Sequence, residues 1–384
     1  PGNMLWRRAL LFVASLLVVP EQIRGFGLTS LRISPNRPHN LALSCQQKPC
    51  SAYASKTITP VLAMLAKRNV RLFSTLPSTA PAQLEEFEEK EYTWKGHSIK
   101  YATRGVNTKG NVVLVHGFGA SYKQFRSNIS ELASAGYQVL ALDLLGFGRS
   151  EKATQVTYSI GLWAELVGDF IREVVKAPAV IVGNSIGSLV AVTVAASAES
   201  RGQVAGLVLL NCAGGMNSKL LLRSEGFSPL ARAVLGAVFW LVDRVLGTEA
   251  LARPVFDRFR SAENVRQVLQ QVYINRDRVD DELVQSIIEP AQDPDALPVF
   301  VKILTGEPGT GPIPLWPAVT APTLVIWGDS DPWTPDDGDA GRFFKAQADA
   351  GRVEMQVLEG VGHCPHDDDP ARVNRAILAW LAAR

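Results

Sequence analysis

The sequence predicts an α/β fold, a mostly parallel central sheet with helices on both faces and a helical lid inserted late in the chain. Three observations predict it. From about residue 91 onward, short apolar runs alternate with stretches of helical periodicity, the pattern of a parallel sheet covered on both sides. One run, Val180-Ile181-Val182, passes through Gly183-Asn184-Ser185-Ile186-Gly187 into a small-and-aliphatic helix reaching about Glu199. Between Asn211 and about Trp316 the strand signal vanishes for roughly a hundred residues, too many for a loop without structure of its own.

Glu91 to Lys95 and Ser98 to Ala102 flank Gly96-His97 and read as an opening hairpin. Asn111 to His116 is a buried strand running into His116-Gly117-Phe118-Gly119. Gln124 to Ala135 then places Phe125, Ile129 and Leu132 on one helical face. Tyr137 to Asp143 is the next strand, with the exit loop Leu144 to Ser150, and Tyr158 to Val175 is a helix. Val204 to Leu210, Pro322 to Trp327 and Val353 to Leu358 are further strands. Asp369 before Pro370 opens a final helix, a capping residue followed by proline at the first helical position. The inserted lid, about 212–316, reads as short helices broken near Gly226, Gly247, Arg260, Arg276 and Asp293. Ligands of such sheets bind at the carboxyl ends of the strands.

The chain has 384 residues, 47% hydrophobic and 20% charged, a globular composition. Its net charge of +2 conceals an asymmetry, because residues 1–84 hold ten Lys/Arg against Glu21 alone, which leaves the remainder acidic. Nucleic-acid binding therefore has no basic patch to rest on. Arg7-Arg8 precede an apolar run from Ala9 to Val19, shorter than the about 20 residues that span a bilayer. It reads as the core of a secretory signal peptide, with small residues near Gly25 for cleavage. From Phe26 to Leu84 there is no acid, while Ser, Thr, Pro, Ala and Arg abound, as in an organelle transit peptide. The two in series make 1–84 a bipartite leader that resembles those of proteins bound for the complex plastids of some algae. A mitochondrial presequence around Arg68 to Thr75 is the competing reading, against which the apolar run argues. Cys45 and Cys50 fall in the leader, and Cys212 and Cys364 alone make neither a disulfide framework nor a zinc site.

Gly-x-Ser-x-Gly occurs by chance in many chains, but a strand before it and a helix after it describe a nucleophile elbow, with Ser185 at the strained apex. A serine needs a base, and the base an orienting acid. On such sheets these follow in the order Ser, acid, His. His363, in Glu359-Gly360-Val361-Gly362-His363 after the last strand, is the expected base. His366 is its competitor, closer to the final helix and beside Asp367-Asp368-Asp369. A metal site from His363, Cys364, His366 and these carboxylates has no known ligand spacing, so no metal is expected. Trp327-Gly328-Asp329-Ser330-Asp331 offers two acids. Asp331, deeper in the loop, is the expected partner of His363 Nδ1, and Asp329 is expected to serve the turn. The alternative acid position, after the preceding strand, falls near Asn211 and holds no carboxylate. The N–H groups of Phe118 and Ile186 are the expected oxyanion donors, the latter aided by the helix dipole. His116 is expected to hold its loop, and His97 and His39 receive no role.

These segments together resemble an α/β-hydrolase fold over about residues 90–384. Closer still is a likeness to the plastid chlorophyll dephytylase and pheophytinase group, carried by Asn184-Ser185-Ile186-Gly187, by Leu209 to Asn217, by Ile303-Leu304-Thr305-Gly306 and by Gly362-His363-Cys364-Pro365 with Asp367-Asp368. One departure is Ser188, where that group is expected to have glycine, which bears on helix packing. The resemblance implies a domain over 85–384 that hydrolyses the phytyl ester of chlorophyll or pheophytin through an acyl-enzyme, without a cofactor. It also implies a plastid location, through the signal and transit peptides. Gly117, Phe118, Phe239 and Trp240 are the expected substrate contacts. Epoxide hydrolases and dehalogenases of this fold use a carboxylate nucleophile, which Ser185 excludes. Another plastid lipid or small-ester hydrolase, and a non-catalytic ligand receptor, are the other readings. Leu230 to Leu246 is apolar over most of its surface, leaving Arg232, Asp243 and Arg244 for water. Such a surplus on a lid suits an isoprenoid chain or peripheral contact with a thylakoid membrane.

Overall fold

The computed structural model describes residues 87–200, 202–223 and 228–384. The leader, with Cys45, Cys50 and His39, lies outside the described residues, as does Gly226 in the lid. Eight strands form one sheet: β1 (Glu88–Trp94), β2 (His97–Arg104), β3 (Asn111–Val115), β4 (Gln138–Leu142), β5 (Ala179–Asn184), β6 (Val204–Leu210), β7 (Thr323–Gly328) and β8 (Glu354–Leu358). Their order is β1-β2-β4-β3-β5-β6-β7-β8. The β1–β2 hairpin and the β2–β4 pair are antiparallel, and every pair from β4 to β8 is parallel.

The strands are read as continuous apolar runs because both faces of the sheet are covered. Their alternation then sorts the core into two layers. Val113, Val115, Ile181, Leu207 and Trp327 pack on one side with Trp163 and Phe170 of α2 (Ile160–Phe170) and Leu189 of α3 (Ile186–Ala196). Val112, Leu114, Val182, Val208 and Ile326 pack on the other with Ile129 of α1 (Arg126–Ser134) and with Ile377 and Trp380 of the final helix. Each such fully buried side chain contributes roughly 1.5–3 kcal/mol.

The chain leaves β3 for β4 on one side and returns to place β5 on the other. The switch point therefore lies at the carboxyl ends of β3 and β5, where Gly117 and Ser185 follow.

Between β6 and β7 the described residues contain no strand. They form α4 (Pro229–Leu246), α5 (Glu249–Phe259), α6 (Ala262–Val272), α7 (Asp281–Ile288) and α8 (Ala296–Thr305). Ser228, Ser261 and Asp280 cap α4, α6 and α7 with their side chains, and Gly247 and Arg260 end α4 and α5. Two expected helices are shorter in their α-helical part. A 3₁₀ turn, Tyr122–Phe125, precedes α1, and a π-helical turn, Ile171–Val175, follows α2. The elbow helix stops at Ala196, short of Glu199. An unassigned helix, α9 (Asp339–Asp349), joins β7 to β8; its fully buried face is only Gly341 and Phe344, too thin a stripe to stand out in sequence. Asp369 caps the final helix, α10 (Pro370–Ala382), by accepting from Arg372 N–H.

Candidate active site

Ser185 stands between β5 and α3 with φ 55° and ψ −117°, a conformation a non-glycine residue adopts only under constraint. The constraint is close packing on both sides of it. A Cβ on Gly183 would lie 2.3 Å from the Gly187 carbonyl oxygen, and one on Gly187 would lie 2.2 Å from that of Val115. Only glycine at both places lets strand and helix meet this closely. Ser188 adds a tie. Its hydroxyl donates to Gly183 O at 2.6 Å and accepts from Leu210 N–H at 3.0 Å, so serine in the first turn of α3 joins the elbow to β6 without opening the helix packing.

His363 and Asp331 meet through Nδ1 and Oδ2 at 2.7 Å, both buried. Burial alone would raise the Asp331 pKa. The His363 imidazole and the Thr334 donors overcome it and hold the carboxyl at about 2. Asp331 is therefore ionised and can only accept, so His363 Nδ1 donates the proton of this bond. The carboxylate is held by five donors in all. Trp333 and Thr334 N–H bind Oδ1 at 2.7 and 3.0 Å, an Asx-type turn, while the Thr334 hydroxyl and the Asn211 amide bind Oδ2 at 2.6 and 2.7 Å beside His363. Asn211 thus occupies the alternative acid position and serves the acid that stands elsewhere. Asp329 serves the turn, accepting from Gly360 N–H at 2.9 Å.

Asn184 couples the elbow to the base. Its amide donates to the His363 carbonyl at 3.0 Å and to the Leu210 carbonyl at 3.2 Å. From the lid, the Val272 carbonyl at the end of α6 accepts from His363 N–H at 2.9 Å. That approach needs Gly362, where a Cβ would fall 2.0 Å from Val272 O. The Trp333 ring lies 5.2 Å from the His363 ring, centroid to centroid.

The opposite wall is the loop after β3. A Cβ built on Gly117 would lie 3.4 Å from Ser185 Cβ, so this loop faces Ser185. His116 fixes it. Nε2 accepts from Leu144 N–H at 3.0 Å, which puts the ring proton on Nδ1 for its 2.7 Å bond to Gly117 O. Burial lowers this imidazole to about 4, so it stays neutral and transfers no proton. Phe118 follows at the loop's turn, and Ile186 N–H is the first of α3, a position whose N–H has no partner within the helix. Phe118 packs against Phe147 and against Phe300 of α8.

His366 does not join this group. It is fully buried with its ring 4.3 Å from that of Phe125, and burial lowers it to about 3. Asp367 and Asp368 instead anchor the lid. Asp367 binds Arg126, Arg278 and the Tyr273 hydroxyl, and Asp368 accepts from the backbone N–H of Gly362, Ile274 and Asn275. Among the described residues no three His, Cys, Asp or Glu side chains are grouped to hold a metal ion. Cys212 and Cys364 are free and buried. Phe239 and Trp240 part company: Phe239 is buried under α4, whereas Trp240 is 63% exposed on its outer face. The structure does not bring Trp240 to the site.

Sequence reasoning missed Thr334, Trp333 and Asn211 as partners of the acid–base pair. The available signal was Asp331 itself, since an Asp side chain in a loop accepts from the backbone N–H two residues on, here that of Trp333.

Residues 112–376 match the model of the alpha/beta hydrolase family. The chain is similar to chloroplastic pheophytinase of Arabidopsis thaliana, 26% identical over 307 residues, covering 70% of this chain and 60% of that protein. At 27% identity over 290 residues it is similar to a 2-hydroxy-6-oxononadienedioate/2-hydroxy-6-oxononatrienedioate hydrolase of Burkholderia vietnamiensis, with 74% of this chain and 90% of that protein covered. Among solved structures, an epoxide hydrolase superposes with a TM-score of 0.61 at 19% identity, over 78% of this chain and 99% of that one, a likeness of fold.

Proposed function

The chain belongs to the alpha/beta hydrolase family, and on that premise we propose that it cleaves carboxylic esters through Ser185, His363 and Asp331, with the phytyl ester of chlorophyll or pheophytin as substrate. The observation that carries the reaction is the 2.7 Å bond from His363 Nδ1 to an ionised Asp331, beside an elbow serine tied to the same loop by Asn184.

In the proposed first step His363 Nε2 takes the Ser185 hydroxyl proton as Oγ attacks the ester carbonyl, and the oxyanion is met by Phe118 and Ile186 N–H. Collapse of the tetrahedral species breaks the ester C–O bond, and the alcohol leaves with the proton from imidazolium. Water then attacks the acyl-enzyme by the same route and releases the acid and free Ser185. Asp331 stays ionised and stabilises the imidazolium. Water is the sole co-reactant.

For the substrate, the support is the apolar surround of the oxyanion loop, where Phe118 meets Phe147 and the lid residue Phe300, together with the similarity to a pheophytinase. The dienedioate hydrolases of similar identity give the second reading. Their substrate is a dicarboxylate, for which aromatic rings are a poor match. Incubating the chain with chlorophyll a and with pheophytin a should release phytol and the corresponding acid. Turnover of the dienedioate, with neither pigment cleaved, would overturn the substrate assignment and leave the triad standing.

A plastid location goes with this reading, on the composition of residues 1–84 and the chloroplastic relative. Residues 4–84 fused to a fluorescent reporter should reach the plastid of an alga with a complex plastid, and a mitochondrial pattern would contradict it.

A further inference from the structure

Helix α4 turns its surplus apolar residues outward. Leu235, Phe239 and Leu246 are buried, whereas Leu230, Val234, Trp240 and Leu241 are 76%, 46%, 63% and 58% exposed. With Ala233 and Ala237, also exposed, they recur at steps of three and four and make one continuous stripe along the helix. A helix that merely covered the core would carry polar residues there. Leu251 at the start of α5 is exposed as well.

The charges on α4 are sorted to match. Arg244 is exposed at the C-terminal end of the stripe and lies 5.8 Å from the Trp240 ring centroid. The only acid of the helix, Asp243, is held by Lys219 at 2.8 Å. An apolar stripe carrying a tryptophan, with Arg244 beside it and the one acid of the helix paired, suits a bilayer surface with anionic headgroups. No helix among the described residues is long and apolar enough to cross a membrane, so the fit is to a helix lying in the interface.

We propose that α4 docks the protein on an anionic lipid surface, with the Leu230–Leu241 stripe in the headgroup and acyl boundary. A second copy is the rival occupant. An 18-residue helix is about 27 Å long and about 10 Å wide, so two such faces bury on the order of 540 Å², well under the roughly 1,200 Å² of a stable interface. A lipid surface has no such threshold and wraps the stripe from both sides. The docking is independent of which ester is cleaved.

The test is hydrogen–deuterium exchange of the full chain with and without pigment-free vesicles, two parts phosphatidylcholine to one part phosphatidylglycerol. This readout is local, so the apolar run Ala9 to Val19 does not interfere with it. Amides of α4 should exchange roughly tenfold more slowly with vesicles. The double variant Val234→Asp/Leu241→Asp should lose that protection while hydrolysing p-nitrophenyl butyrate within about twofold of the parent. Leu230→Asp, altering the most exposed of these side chains, guards against a folding defect and should lose part of the protection. Val106→Asp, an exposed apolar position after β2, should lose none. Unchanged α4 exchange on vesicles, protection retained in both α4 variants, or a dimer that the double variant dissociates would each overturn the proposal.

Discussion

The Asn211 side-chain amide lies 2.7 Å from Asp331 Oδ2, the same oxygen that binds His363. Asn211 follows β6 with φ 46°, a left-handed conformation that asparagine tolerates, and its own Oδ1 accepts from Gly328 N–H at 3.0 Å. One side chain therefore joins the ends of β6 and β7 and orients the acid. Asn211→Gly keeps the backbone conformation and deletes the amide. It should lower kcat roughly tenfold with KM little changed. Freed of a donor, Asp331 stabilises imidazolium more, so the acid limb of the kcat/KM profile should move to higher pH. A KM effect with an unmoved limb would mean that Asn211 serves only packing.

In the proposed mechanism Ser185, His363 and Asp331 act as a unit. Ser185→Ala and His363→Ala should each remove several orders of magnitude of turnover, and Asp331→Asn roughly ten-thousand-fold. His366→Ala should stay within about tenfold of the parent, because this ring meets Phe125 and not the acid. Steady-state kinetics on p-nitrophenyl butyrate decide it, and a His366→Ala as inactive as His363→Ala would mean the base is misassigned.

Asp368 is buried and accepts from Gly362 N–H at 2.7 Å, Asn275 N–H at 2.8 Å and Ile274 N–H at 3.2 Å. It thereby fastens the end of α6 to the residue before His363. Asp368→Asn turns an acceptor into a donor facing donors, which should cost about 1–3 kcal/mol in urea unfolding. Stability equal to the parent would show that this carboxylate is dispensable to the junction.

Two buried histidines make stability fall on the acid side. Burial lowers His116 to about 4 and His366 to about 3, against an ordinary 6.5. The unfolded chain therefore binds more protons in that window. Their contribution is complete above pH 6.5 and is lost as pH falls toward these values. His366→Phe keeps a ring on Phe125 and removes one titrating group, so stability between pH 6.5 and 4 should flatten by up to ~1.4 kcal/mol per pH unit. Urea unfolding across that range checks it, and an unchanged slope would show that the folded ring titrates normally.

The sheet and the elbow were legible because their signals are local. Val180-Ile181-Val182 is apolar on both faces, and Gly183 and Gly187 bracket Ser185 at fixed spacing. The acid–base pair was legible through loop position, since His363 and Asp331 each follow a strand. Two of their supports were not, because Asn211 and Val272 come from separate segments and reach Asp331 and His363 only in space. Ser188 read as a departure from a packing glycine, and its compensating bonds to Gly183 and Leu210 needed coordinates to be seen. The lid's apolar surplus was visible in Leu230 to Leu246, but periodicity alone could not say that Phe239 turns in and Trp240 out.

The most direct test of the central claim, that Ser185 is a nucleophile activated by His363 and Asp331, is labelling with a fluorophosphonate followed by peptide mapping. One phosphonylated residue, Ser185, is expected, with labelling abolished in Ser185→Ala and on unfolding and strongly slowed in His363→Ala. A folded chain that hydrolyses esters yet is labelled at another serine, or at none, would contradict it.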